Sequence, residues 1–296
     1  MKQRCSAVPY PYLDPYTHWE GLSTMHFWQK YYSGRSNKNS ALCIGLDVSL
    51  EYIPQHLLSM GTTRAITEFN RRIIDATRDY AIAYKINLAF YEQYGIEGWH
   101  AFEQTRAAIP SDCIVIADAK RADIGNTSKA YATAFFEHYT CDALTVAPYM
   151  GRDSIEPFLS YEGRMTFVLA LTSNPGSQDF QRLVVGTTPL YRAVMDSTLT
   201  WVHTSQRQNL GFVVGATHPE ELAELRTYYP HTMFLIPGIG AQGGQLQTAL
   251  QANANAPALF TISRAILYAS SSDDFDDAAR RATLAFVENM RNVHIA

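Results

Sequence analysis

The segment Ile114–Thr127, with the sequence IVIADAKRADIGNT, places several charged residues directly after an apolar run. Asp118 and Lys120 lie two residues apart, so in an extended strand both side chains project from the same face. Asp123 lies just beyond, where a turn could direct it toward its own site or across a subunit contact. Such a concentration of acids and amines is a candidate site for acid–base chemistry. The alternative is a structural ion network in which Asp123 or Thr127 only caps the following helix.

Further polar residues follow other apolar runs of the sequence. Asp47 ends the first run, Lys85 ends the second, and Ser173 follows the fifth. A glycine-rich stretch, residues 237–244, follows the seventh run, and Arg264 follows the eighth. Taken alone, the glycine-rich stretch fits an ordinary turn, and Ser173 fits a turn or a helix cap. Charges at several strand ends are hard to explain by packing, because a buried charge needs compensation, so we predict one shared site.

Eight apolar runs rich in Val, Ile and Leu alternate with longer amphipathic segments from Ala41 onward. This alternation is typical of parallel strands connected by helices. A closed barrel and an open doubly wound sheet both fit it, but the polar residues at the carboxyl ends of the strands favour the barrel. We therefore predict an α/β fold, a closed eight-stranded parallel β/α barrel (TIM barrel). The predicted strands are Leu42–Asp47, Ile82–Ile86, Cys113–Asp118, Ala143–Val146, Thr166–Leu171, Gly211–Gly215, Met233–Ile236 and Ala258–Ile262.

Two of the intervening helices have clear sequence patterns. Thr217 precedes Pro219 and Glu220, a combination typical of a helix N-terminus, and the helix should continue to about Tyr228. The second predicted helix is Thr63–Tyr80. Its apolar stripe, which should pack against the strands, consists of Ile66, Phe69, Ile73 and Ile74.

The overall composition excludes several classes of protein. The chain has 296 residues, 47% hydrophobic and 18% charged, and its net charge of -4 provides no general attraction for nucleic acid or anionic lipid. It lacks both the roughly 20 consecutive apolar residues of a membrane span and the apolar core of a signal peptide. Its four cysteines lie far apart, which disfavours a disulfide framework. We expect a cytoplasmic protein in which residues 26–296 form the barrel and residues 1–25 form an appendage.

The sequence DAKRADIGNT, residues 118–127, resembles the Asp-x-Lys-x-x-Asp signature of the orotidine 5′-phosphate decarboxylase family. Other segments resemble the family in the same order, particularly its longer bacterial-type branch, and the similarity spans about Ala41 to Ser270. Ile86 stands where that branch has Pro, a departure that concerns backbone stiffness rather than chemistry. The other matching segments are LCIGLDVS, YKINLAFYEQYG, TVAPYMGRDSIEPF, LTSNPGS, VVGATHPEEL, IPGIGAQGG and ISRAILYAS.

The resemblance implies conversion of orotidine 5′-phosphate to UMP and CO2 in pyrimidine biosynthesis, by a homodimer with shared active sites and no cofactor or metal. The implied catalytic residues are Lys120, Asp118, Asp123 and Lys85, with Asp123 and Thr127 contributed to the neighbouring subunit's site. The implied substrate-binding residues are Asp47 near the ribose, Thr127 from the neighbouring subunit, Ser173 and Pro237 at the pyrimidine, and Gln242 and Arg264 at the 5′-phosphate.

The implied reaction needs a cation, because loss of CO2 from C6 of orotate leaves electron density that the ring cannot delocalise. Lys120 would stabilise this carbanion and then protonate C6. Two alternatives remain open. A metal-dependent sugar-phosphate decarboxylase of the same superfamily uses a similar Asp-x-Lys-x-x-Asp element, although none of the nine histidines here forms an HExxH motif. A barrel that binds a pyrimidine nucleotide without turnover is the other, and the intact Lys120 argues against it.

Overall fold

The computed structural model describes residues 26–202, 208–240 and 244–293, so the predicted appendage, residues 1–25, lies outside the described residues. Its strands are β1 Leu42–Gly45, β2 Ala83–Asn87, β3 Ile114–Arg121, β4 Ala143–Val146, β5 Met165–Leu171, β6 Val184–Val185, β7 Thr188–Pro189, β8 Leu210–Val214, β9 Met233–Ile236 and β10 Ala258–Ile262. Eight of them close into a parallel barrel in the order β1-β10-β9-β8-β5-β4-β3-β2, while β6 and β7 form a short antiparallel hairpin. The predicted closed barrel is confirmed, and the open sheet is wrong.

Helices follow the strands around the outside of the barrel. They are α1 Phe27–Lys38, α2 Gln55–Leu58, α3 Thr62–Thr77, α4 Ala89–Glu92, α5 Gly95–Ala108, α6 Gly125–Ala132, α7 Arg152–Leu159, α8 Ser177–Phe180, α9 Leu190–Trp201, α10 Pro219–Tyr228, α11 Leu246–Asn253, α12 Arg264–Leu267 and α13 Phe275–Val293. A π-helical turn, Thr133–His138, continues α6. No helix in the described ranges is long and apolar enough to cross a membrane.

Helix α3 has the one-sided apolar pattern that the sequence predicts. Ile66, Phe69, Ile73 and Ile74 are all completely buried, in one apolar cluster with residues of the strands and of other helices. The aromatic ring of Phe69 stacks on Phe275 of α13, with centroids 4.9 Å apart. Burial of this stripe therefore attaches the outer helices to the barrel.

Helix α10 extends from Pro219 to Tyr228, as predicted, but its cap differs from the sequence pattern. His218 occupies the N-cap position and makes no side-chain capping bond. The hydroxyl of Thr217 instead donates a hydrogen bond to the backbone carbonyl of Ser173, at 3.3 Å. Thr217 thus joins the loops that follow β8 and β5, so the prediction that it caps the helix is wrong.

Helix α1 closes the end of the barrel where the strands begin, and the sequence pattern did not predict it. Phe27 and Tyr31 are almost fully buried and belong to the apolar cluster that fills the barrel interior. The ring of Phe27 lies edge-on to Phe167 of β5, with centroids 6.0 Å apart. The buried face of α1 consists of Phe27, Lys30, Tyr31 and Gly34, and other aromatic residues lie outside it, so the sequence of α1 lacks the usual apolar stripe.

A buried ion pair fixes α1 against the barrel. The ammonium of Lys30 donates to Asp142 Oδ2 at 2.8 Å and to the carbonyl of Cys113 at 3.2 Å. Asp142 also accepts the backbone N–H of Val115, at 2.8 Å. These bonds compensate for the desolvation of both charges, so α1 has one defined position at this end of the barrel.

Replacing Phe27 with Ala should lower the free energy of unfolding by about 3–5 kcal/mol, because the substitution leaves a cavity among buried barrel side chains. Urea denaturation followed by circular dichroism measures the change. Phe180→Ala is the matched control, since the Phe180 side chain is 69% exposed and its loss should change stability by less than about 0.5 kcal/mol. Equal effects of the two substitutions would contradict a packing role for α1.

Candidate active site

A cavity of about 390 Å³ opens at the carboxyl ends of the barrel strands. Every barrel strand, or the loop that follows it, contributes to its wall. This volume lies within the range of about 300–1,000 Å³ that is common for small-molecule sites. The predicted site residues that line it are Asp47, Lys85, Asp118, Lys120, Ser173, Pro237 and Arg264.

Four charged side chains form a continuous row of alternating sign along one wall. Lys85 Nζ lies 3.1 Å from Asp47 Oδ1 and 2.9 Å from Asp118 Oδ2. The second oxygen of Asp118 lies 2.7 Å from Lys120 Nζ. The predicted cluster of acids and amines is therefore present, and one carboxylate, Asp118, bridges two ammonium groups.

Burial and mutual attraction together determine the charge states of the row. Burial alone would raise the pKa of Asp118, but the adjacent Lys85 and Lys120 hold this pKa well below its usual range. Burial alone would lower the pKa of Lys85, but Asp118 and Asp47 raise it above its usual value. Asp118 is therefore ionised and Lys85 protonated at neutral pH.

Lys120 is the member of the row that is open to a ligand. Its side chain is 48% exposed and borders the cavity, whereas the side chain of Asp118 is only 10% exposed. One side of the ammonium is thus held by a buried carboxylate, and the other faces the open volume. This arrangement allows Lys120 to meet negative charge on a bound molecule.

Strand β3 is irregular at the point where it carries Lys120. Ala117 pairs with Leu144 of β4, but Arg121 pairs with Val146, so the register shifts between these pairs. Lys120 has a φ angle of 48°, in the left-handed region, which costs a non-glycine residue about 1–3 kcal/mol. Strand alternation correctly predicted that residues two apart share the site, but a backbone irregularity, rather than a regular strand, brings them together.

Asp123 and Thr127 do not line the cavity of their own chain. The carboxylate of Asp123 accepts the N–H of the next residue, Ile124, at 2.7 Å. Thr127 is exposed in the first turn of α6. Ile124 holds the N-cap position without a side-chain capping bond, so neither residue caps α6 as the structural alternative required. Their placement in a neighbouring subunit's site stays a prediction.

Ser173 lies on the wall opposite the charged row, in the loop after β5. The end of β8 approaches this loop closely at Gly215. A Cβ atom at Gly215 would lie 2.8 Å from the backbone nitrogen of Ser173, so a side chain there would displace the loop. Gly215 therefore permits the position of Ser173, and the hydrogen bond from Thr217 reinforces it.

The loops after β9 and β10 complete the wall between Ser173 and the charged row, with Pro237 and Arg264 both at the cavity. The glycine-rich loop folds back on itself, because Gly240 N donates to Gly244 O at 2.8 Å and Gly244 N donates to Gly238 O at 3.1 Å. Gly238 and Gly240 have φ angles of 98° and 77°, which favour glycine. The predicted phosphate ligand Gln242 lies outside the described residues.

Comparison with known proteins bears directly on this site. The model of the orotidine 5′-phosphate decarboxylase / HUMPS family matches residues 40–280. The chain belongs to this family. The matched range contains every residue of the charged row as well as Ser173, Pro237 and Arg264.

Relatives and solved structures of the family are similar over almost their whole length. The orotidine 5′-phosphate decarboxylase of Flavobacterium johnsoniae is 48% identical over 261 residues, which cover 86% of this chain and 94% of the relative. That of Herpetosiphon aurantiacus is 44% identical over 262 residues, covering 88% and 96%. The structure of Leishmania donovani OMP decarboxylase superposes with a TM-score of 0.79 at 37% identity, covering 92% of this chain and 100% of that chain.

Several polar residues of the cavity were missed by the sequence predictions. Asn87 ends β2, and Thr145 lies inside the buried strand β4. Both are polar residues near the carboxyl ends of apolar runs, which is the signal that could have found them.

Tyr268 was also missed, because it contacts the loop that carries Asp47 and does not line the cavity. Its hydroxyl accepts from Ser49 N at 2.8 Å and donates to Asp47 O at 3.1 Å, so it supports the loop that carries Asp47.

Replacing Lys85 with Met should lower the free energy of unfolding by about 3–5 kcal/mol at pH 7, because two carboxylates lose their shared buried cation. The depressed pKa of Asp118 contributes stability above the unfolded-state value of about 4, and this contribution is lost as the pH falls. Since the substitution raises that pKa, the difference from the unchanged protein should be smaller at pH 3 than at pH 7, with the decrease falling mainly below about pH 4.

Urea denaturation at both pH values tests this expectation. Arg64→Met is the control, because Arg64 is an exposed cation on α3 and its loss should change stability by less than about 0.5 kcal/mol. A stability difference for Lys85→Met that grows on acidification would contradict the assigned charge states.

Proposed function

We propose that this chain converts orotidine 5′-phosphate to UMP and CO2 without a metal ion or an organic cofactor. The observation that carries the proposal is the ammonium of Lys120, which lies 2.7 Å from the buried carboxylate of Asp118 and borders the cavity. Membership of the family, and near-full-length relatives that are named orotidine 5′-phosphate decarboxylase, support it.

The charged row fits the demands of this decarboxylation. When the bond between C6 and the carboxylate breaks, its electron pair stays on C6 in the plane of the ring. A fixed ammonium stabilises that charge without reorganisation, because Asp118 already orients Lys120. Lys120 then transfers a proton to C6, which completes UMP, and solvent reprotonates the amine. Lys85 helps to keep Asp118 ionised, so the carboxylate remains available to hold the ammonium of Lys120.

The rest of the cavity wall is assigned to recognition of the nucleotide. Ser173 can exchange hydrogen bonds with the pyrimidine, and Pro237 provides an apolar surface beside it. Arg264 provides fixed positive charge and paired N–H donors for the 5′-phosphate, where Gln242 is the second assigned ligand. Asp47 accepts from the ribose. Phosphate binding far from C6 can raise the rate by closing the glycine-rich loop over the substrate.

The proposal includes a homodimer with shared active sites. Asp123 and Thr127 do not reach the cavity of their own chain, yet they follow β3 directly after Lys120. Large apolar side chains are exposed on the same loops and on the loop after β4: Ile124 is 57% exposed and Tyr149 is 97% exposed. Exposed apolar surface beside the cavity supports a subunit contact there, which would place the partner's Asp123 and the partner's Thr127 at the site.

The same proposal assigns the catalytic domain to residues 26–296 and places the protein in the cytoplasm. The family match to residues 40–280 and the packing of α1 into the barrel support the domain boundary. Cys43, Cys113 and Cys141 are buried free thiols, which suits a reducing compartment. Residues 1–25 remain assigned to an appendage.

Purified protein should convert orotidine 5′-phosphate to UMP, and the loss of orotate ultraviolet absorption measures the rate. Lys120→Ala should lower kcat at least about 10⁴-fold, because electrostatic stabilisation and proton delivery are both lost. Lys38→Ala is the matched control. Lys38 lies at the opposite end of the barrel and pairs with Asp112, so its loss should leave kcat within about threefold.

Two results of the same assay would overturn the proposal. Turnover that stops on exhaustive chelation and returns with a divalent cation would favour the metal-dependent sugar-phosphate decarboxylase. The described residues contain no group of three His, Cys, Asp or Glu suited to a metal ion, so this result would require ligands from elsewhere. Protein that binds the nucleotide but releases no CO2 would favour a non-catalytic binding barrel.

Mixing two inactive variants tests the shared site. A dimer of one Lys120→Ala chain and one Asp123→Asn chain has one site with Lys120 and the partner subunit's Asp123 both intact. Random reassociation of equal amounts should therefore restore about a quarter of the activity of the unchanged protein. Each variant mixed with itself is the control. No recovery in the verified mixed dimer would place Asp123 in the site of its own chain, and an Asp123→Asn variant that is active by itself would place Asp123 outside any site.

A further inference from the structure

Thr145 occupies a special position opposite the irregular part of β3. The pairs Ala117–Leu144 and Arg121–Val146 bracket three residues of β3 but a single residue of β4. That single residue is Thr145, which is 1% exposed and borders the cavity. The regular backbone hydrogen bonding between β3 and β4 is interrupted here. A side chain is therefore needed to pair with the backbone N–H groups of β3 that the register shift leaves without a partner in β4.

The hydroxyl of Thr145 connects two members of the charged row. Its Oγ1 accepts the backbone N–H of Lys120 at 2.9 Å and donates to Asp118 Oδ1 at 2.9 Å. The direction of both bonds is determined by chemistry, since an N–H can only donate and an ionised carboxylate can only accept. The hydroxyl therefore uses its one proton on Asp118 and a lone pair on Lys120, and it ties the backbone of one to the side chain of the other.

We propose that Thr145 is a positioning residue, which holds Lys120 in its left-handed conformation and aims its ammonium at the reacting carbon. The inference rests on the proposed decarboxylation. The Asp118–Lys120 contact alone leaves the long Lys120 side chain free to swing around the carboxylate. The hydrogen bond from the Lys120 backbone to Thr145 fixes the position of the Lys120 Cα. The hydrogen bond from Thr145 to Asp118 fixes the carboxylate that the Lys120 ammonium contacts.

The role requires a hydroxyl and not merely a side chain of this shape. Valine has nearly the same shape as threonine but can neither accept the Lys120 N–H nor donate to Asp118. Loss of the bond would free Lys120 from a conformation that non-glycine residues avoid, and would leave Asp118 with one donor fewer. A shift of the ammonium by about 1 Å is enough to lower a rate about 100-fold, whereas nucleotide binding through Arg264 and Ser173 would be untouched.

The kinetic test compares three variants. Thr145→Val should lower kcat by about 10–100-fold and change KM by less than about threefold. Thr145→Ser, which keeps the hydroxyl, should retain kcat within about threefold. Thr166→Val is the matched control, because Thr166 is a buried threonine of the neighbouring strand β5 whose hydroxyl has no hydrogen-bond partner among the described residues. It should leave kcat and KM unchanged. Thr145→Ala replaces Thr145→Val if the latter does not fold.

A second measurement does not depend on turnover. The rate at which acetic anhydride modifies the Lys120 amine, read by mass spectrometry against the exposed Lys129 of the same chain, reports how firmly Asp118 holds the ammonium. Thr145→Val should raise this ratio at least about threefold, and Thr145→Ser should not.

The outcomes separate the two proposals. Unchanged protein that fails to decarboxylate orotidine 5′-phosphate would overturn the proposed function, and the Lys120 labelling would still test the positioning. Thr145→Val with kcat within threefold of the unchanged protein and unaltered labelling would overturn the role of Thr145. A loss of kcat that Thr145→Ser shares would also overturn it, because the hydroxyl would then not be the group that matters.

Discussion

The site depends on the attraction between Asp118 and the two ammonium groups that flank it. A carboxylate this deeply buried would take up a proton if it stood alone, and the buried amine of Lys85 would tend to lose its proton. Together Asp118 and Lys85 stay ionised, because each compensates for the desolvation of the other. The row is therefore a single unit: loss of one buried charge destabilises its buried partner, and Asp118 also orients the ammonium of Lys120.

The barrel provides this unit with rigid support. Asp47, Lys85 and Asp118 come from three adjacent strand ends, and hydrogen bonding between β1, β2 and β3 fixes the separation of these ends. A loop would hold such charges less firmly, because they would be free to separate and hydrate. The irregularity in β3 adds what regular strands cannot provide, since it brings the side chain of Lys120 back onto Asp118.

Much of this arrangement could be predicted from the sequence. The alternation of apolar runs and amphipathic segments reflects burial, which depends on residue type, so strands and helices such as α3 were found within a few residues. The placement of Asp47, Lys85, Asp118, Lys120, Ser173, Pro237 and Arg264 around one cavity followed from their positions at strand ends.

The contributions that were missed depend on contacts between distant parts of the chain. Helix α1 has no apolar stripe in its sequence, because its buried face includes Lys30, whose charge is compensated by the distant Asp142. Thr145 looks like an ordinary β-branched strand residue until the register of β3 and β4 is known. Thr217 matches the pattern of a helix cap, but the nearby carbonyl of Ser173 takes its hydrogen bond instead. In each case the deciding contact is made between segments that are distant in the sequence.

The closure of the barrel by α1 also determines how molecules enter and leave. Phe27 and Tyr31 fill the end of the barrel where the strands begin. In the described part of the chain, the cavity therefore opens to solvent at the carboxyl ends of the strands. In the proposed reaction, carbon dioxide therefore has to leave by the opening through which the nucleotide enters. The water that reprotonates Lys120 uses the same opening, so gas release, reprotonation and product departure share one route.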